Sequence, residues 1–84
     1  MGRRRPAATI RNCPGAAERI NPQNFAHLSV CNMSCAQAAA KVRVSTRHQG
    51  RVPGWRCENH QTGQDQGYQR CVLGRKSFRW YILA

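Results

Sequence analysis

Acidic side chains are almost missing from this chain. Three Asp and Glu among 84 residues face fourteen Lys and Arg, for a formal net charge of +11. So few carboxylates leave no pair for general acid–base work. Strongly apolar side chains are scarce as well: Leu, Ile, Val and Phe make 13 of the 84 residues. With high net charge, a share below about 20% is the composition of chains that stay disordered. No apolar run approaches the roughly 18 residues of a membrane helix, and residues 1–24 hold no apolar core of a secretory signal. The H-E-x-x-H, G-x-S-x-G and glycine-rich phosphate fingerprints do not occur. A two-domain protein, a membrane span and a large enzyme with a deep pocket are excluded, and the expectation is a protein without catalysis.

What is present begins with charge and punctuation. Residues 1–20 carry Arg3, Arg4, Arg5, Arg11 and Arg19, broken by Pro6 and Pro14-Gly15, and read as a disordered basic arm. Residues 21–84 read as one small, marginally stable segment. Asn21-Pro22 combines a favoured N-cap with a favoured first helical residue. Asn24, Leu28, Cys31, Cys35, Ala38 and Val42 follow at alternating steps of four and three, so a helix is expected over about 22–44. Glycines, Pro53 and glutamines make residues 45–67 loop-like. Two aromatic and β-branched runs, separated by Gly74-Arg75-Lys76-Ser77, predict a C-terminal β-hairpin over about 68–83. The fold class expected is thus a small, largely irregular α+β arrangement.

Five cysteines, an odd number, without a secretory signal suggest reduced thiols in the cytoplasm or nucleus. The Arg- and Ala-rich start also has the composition of a mitochondrial presequence, although Pro6 and Pro14 interrupt the helix such a segment needs. Cys31, Cys35, Cys57 and His60, with Cys71 as an alternative fourth, supply ligand types that zinc accepts. Closing such a site would add folding energy that this composition lacks. A zinc-stapled interaction module is one reading of the chain, zinc being the one cofactor it suggests. The bland alternative is that Cys31 and Cys35 are small apolar residues on a core face.

The cations point elsewhere. Lys41, Arg43, Arg47, Arg51 and Arg56 run through the expected helix end and the following loop. Guanidinium forks grip phosphate and stack on bases, and Trp55 and Tyr68 lie in the same basic half. The function expected is electrostatic binding of RNA or another polyanion, with the cations positioning phosphates and Trp55 or Tyr68 stacking. RNA is favoured over DNA because Arg-rich segments fold on RNA. Neither a small-molecule substrate nor a transmembrane segment is expected. An unselected reading frame would share this Arg-rich, Leu-poor composition and its conflicting local signals.

Overall fold

The computed structural model describes residues 10–83. They form β1 (Ile10–Cys13), α1 (Ala16–Ile20), β2 (Phe25–Cys31), α2 (Cys35–Arg47), β3 (Arg56–Gln61), β4 (Gln66–Leu73) and β5 (Lys76–Leu83). All five strands join one antiparallel sheet in the order β1-β2-β5-β4-β3. The result is a compact small domain dominated by that sheet, which corrects the expectation of a largely irregular chain. Residues 1–9 of the expected basic arm lie outside the described residues; from Ile10 onward it is an edge strand and a short helix. Among the described residues no helix is long and apolar enough to cross a membrane.

The expected helix over 22–44 is replaced by a strand and a shorter helix. Asn21 does nucleate a turn: its Oδ1 accepts from the N–H groups of Gln23 and Asn24, and Phe25 N–H donates to the Asn21 carbonyl. The turn does not propagate. Leu28 and Val30, two apart, are buried on the face that covers the core, and β2 pairs with β1 on one side and β5 on the other. A central strand paired on both edges satisfies its backbone as fully as a helix would, so tertiary pairing overrides the local pattern. The helix starts instead at Ser34, whose hydroxyl accepts from Gln37 N–H while the Gln37 side chain accepts from Ser34 N–H. That reciprocal capping box is the S-x-x-Q signature of Ser34 to Gln37.

The C-terminal pair begins earlier than expected and turns more tightly. Leu73 faces Lys76, leaving a two-residue loop of Gly74 and Arg75. Gly74 has φ 62°, at the first central position, where a II′ turn uses glycine. These strands are not a lone hairpin, because β2 and β3 flank them.

Both helices pack on one face of the sheet. The core there contains Leu28, Val30, Cys71, Phe78 and Trp80 from strands, with Ala17, Ala38, Val42 and Val52 closing over them. Alanine suits the helix positions because a methyl group lets a helix approach the sheet closely, and the core so closed leaves Trp80 1% exposed. The thin apolar composition is also reinforced covalently. Cys13 is bonded to Cys35 and Cys57 to Cys71. Each bond stabilises by about 3 kcal/mol through lost freedom of the unfolded chain, on the entropic account of loops this long. The expectation of reduced thiols fails for these four, and Cys31 alone is free.

Candidate nucleic-acid interface

Among the described residues the opposite face of the sheet carries no helix. Strand alternation decides which side chains it displays. Tyr68 and Arg70 on β4 lie opposite Tyr81 and Arg79 on β5, and His60 and Glu58 on β3 lie opposite Tyr68 and Arg70. These pairs alternate with core-facing Gln69, Cys71, Phe78 and Trp80. Arg56, at the start of β3, falls on the same outer face.

The aromatic side chains there form a row across four adjacent strands. His60 stacks on Tyr68 with centroids 4.8 Å apart, Tyr68 tilts against Tyr81 at 5.6 Å, and His27 meets Tyr81 edge-on at 5.9 Å. His27 joins the row because β2 bulges between Ala26 and Ser29. The extra residue breaks the alternation, and His27 holds φ at 56°, in the left-handed region that favours glycine. The Arg79 guanidinium stands 5.3 Å from the Tyr68 centroid, close enough for a cation–π contact. Glu58, the acid on this face, lies 3.2 Å from His60 Nε2. Arg56, Arg70 and Arg79 make no ion pair among the described residues.

The residues singled out in the sequence divide between two surfaces. Tyr68 and Arg56 belong to the outer sheet face. Lys41, Arg43 and Arg47 lie on α2, and Arg51 and Trp55 on the loop after it, across the sheet from Tyr68. Trp55 is half-buried, its ring 5.2 Å from that of Phe78, and lies on the helix side of the sheet away from the ring row. Tyr81 is noted in the sequence only as one more aromatic of the basic half, and Arg70, Arg79 and His27 went unrecognised by sequence reasoning. The period-two spacing of Tyr68 with Arg70 and of Arg79 with Tyr81 carries the first three, once the hairpin register is known. Nothing local marks His27, whose placement depends on the bulge.

The zinc set is not assembled. The sulfurs of Cys35 and Cys57 are committed to disulfides, as is that of the alternative ligand Cys71. Cys31 on β2 is separated from Cys57 and His60 on β3 by two whole strands, about 14 Å at ordinary strand spacing. Among the described residues no three His, Cys, Asp or Glu side chains cluster to hold a metal ion. Comparison of the chain with protein-family models, curated proteins and solved structures finds no match.

Proposed function

We propose that this domain is a non-catalytic module that binds a single-stranded polyanion, nucleic acid in the first instance, across the outer face of its sheet. One observation carries the reading: four rings in a row over β3, β4, β5 and β2, bordered by Arg56, Arg70 and Arg79. Open sheets that bind unpaired bases use ring platforms of this kind, and arginine supplies phosphate contacts and stacking together. The row spans three strand spacings, about 14 Å.

The disulfides favour a second reading of the partner and the compartment. Such bonds persist in oxidising surroundings, which supports an extracytoplasmic location over the cytoplasm, nucleus or mitochondrial matrix. An anionic glycan or other base-free polymer would then meet the same arginines.

Binding of fluorescent oligo-U and oligo-dT, measured across a salt series, tests the proposal. If the three arginines each neutralise one phosphate, log K falls against log salt with slope near −2, at about −0.7 per contact. Tyr68→Ala and Tyr81→Ala should each weaken oligo-U by roughly five- to a hundredfold, the stacking energy of one base. Polyphosphate, which has no bases, should be insensitive to both. Equal losses for polyphosphate and oligo-U would favour the base-free polymer, and a flat salt response would overturn both readings.

A further inference from the structure

A second basic surface lies on the helix side of the sheet, remote from the ring row. The end of α2 and the loop that follows it enclose an open groove of about 910 Å³, lined by Arg47, His48, Gln49, Arg51, Pro53 and Trp55 among others. None of the chain's three acids, Glu18, Glu58 and Asp65, lines it. Arg47 and Arg51 are exposed and make no ion pair among the described residues.

Arg47 is not consumed by capping the helix. The Ser45 carbonyl accepts from the N–H groups of His48 and Gly50, at 3.1 and 2.8 Å. The Val42 and Arg43 carbonyls accept from the hydroxyls of Ser45 and Thr46, at 2.6 and 2.7 Å. These bonds satisfy carbonyls that basic side chains often cover at a helix end. Arg47 is thus left as an exposed lining residue of the groove with no ion pair among the described residues.

The loop is also held in shape before any ligand arrives. Buried Val52 anchors its middle, Trp55 N–H donates to the Val52 carbonyl at 2.9 Å, and Trp55 packs edge-on against Phe78. Gln69 reaches through from β4 to donate to the Gly50 carbonyl, and its own oxygen accepts from Asn59 at 3.0 Å. A fixed loop gives a ligand its contacts without the entropy of ordering them.

We infer that this groove binds a sugar carrying a phosphate or sulfate ester. The ester's tetrahedral oxyanion is held by Arg47 and Arg51, whose planar forks suit it. The sugar ring lies against the half-buried Trp55, and Gln49 offers an amide to its hydroxyls. This inference is independent of the sheet-face reading, because the two surfaces share no residue.

Titrations followed by amide and indole NMR shifts decide it, using glucose 6-phosphate, glucose 6-sulfate, glucose and inorganic phosphate as probes. Either ester should shift the amides of residues 48–55 and the Trp55 indole while leaving those of Arg70, Arg79 and Tyr81 in place. The two esters distinguish phosphate from sulfate as the preferred anion. Arg47→Ala and Arg51→Ala should each weaken the better ester about tenfold or more, the value of a hydrogen bond to a charged group. Both residues are exposed, so a retained dispersed spectrum confirms that each variant folds. Three results would overturn the inference: no shift at millimolar ester, inorganic phosphate binding as tightly as the ester, or shifts centred on the sheet-face arginines.

Discussion

Cys13 and Cys35, 22 positions apart in the chain, are joined by a disulfide with their Cα atoms 5.7 Å apart. The bond ties the end of the short edge strand β1 to the first residue of α2. It thereby couples the sheet to the helix layer at the margin where β1 contributes only four residues. The second disulfide does the same within the sheet at the other edge, where Cys57 and Cys71 are directly opposed on β3 and β4.

Removing the first bond should therefore lower stability without abolishing the sheet. Cys13→Ser with Cys35→Ser is expected to lose about 3 kcal/mol, seen as a lower urea midpoint. Dithiothreitol should destabilise the native protein in the same direction. A metal chelator should leave the midpoint unchanged. A double variant as stable as the parent would remove the covalent contribution from this account.

Gly67 is required by the closeness of its neighbour strand. It pairs with Gln61 on β3 and is buried, and a methyl group built on it would run into the backbone carbonyl of His60. Backbone cannot swing aside as a flexible side chain can. Gly67→Ala should cost about 1–3 kcal/mol by forcing β3 away from β4. Thermal unfolding would measure the loss, and faster amide exchange along 56–61 should accompany it.

Gln69 is the polar residue that reaches through the core side to the loop. It is 7% exposed, and its amide links Asn59 to the Gly50 carbonyl. Gln69→Leu should cost about 1 kcal/mol, because the half-buried Gly50 carbonyl loses its donor and the exposed Asn59 amide turns to water. Amide exchange over 50–55 should quicken more than exchange over β4 and β5. Uniform quickening everywhere would mean the side chain supports the whole core and has no particular hold on the loop.

His27 offers a test in which stability and binding move in opposite directions. Its φ of 56° is strained for a side chain and free for glycine. His27→Gly should raise stability by about 0.5–1 kcal/mol, the relieved left-handed strain less glycine's extra chain entropy, and remove one ring from the row. Oligonucleotide affinity should fall in the same variant. Gains in both, or losses in both, would separate the bulge from the proposed surface.

Parts of this arrangement were legible beforehand. The two runs ending at Leu73 and Leu83 announced paired strands, whereas Asn21, read as the cap of a long helix, closes only a turn. Ser34 and Gln37 spelled a helix start that the longer apolar pattern concealed. That pattern misled because Leu28 fits a helical step of four and a strand step of two equally well. Tyr68 and Arg56 could be named as candidate contacts from residue type alone, and the structure places both on the outer sheet face. Their partners could not, since the alignment of Tyr81 with Tyr68 follows from strand register.

The sequence by itself determined the charge excess, the scarcity of carboxylates, and the aromatic and β-branched runs that become β4 and β5. These follow from residue type and short spacing, and no folding is needed to count them. Tertiary structure decided that residues 25–31 are a strand, which thiols bond, and which arginines share a face with the rings. Each of those depends on elements far apart in the chain meeting in space. Backbone pairing on both edges of β2, and the closure of the helices over Trp80, release free energy that no local segment possesses until the whole sheet has formed.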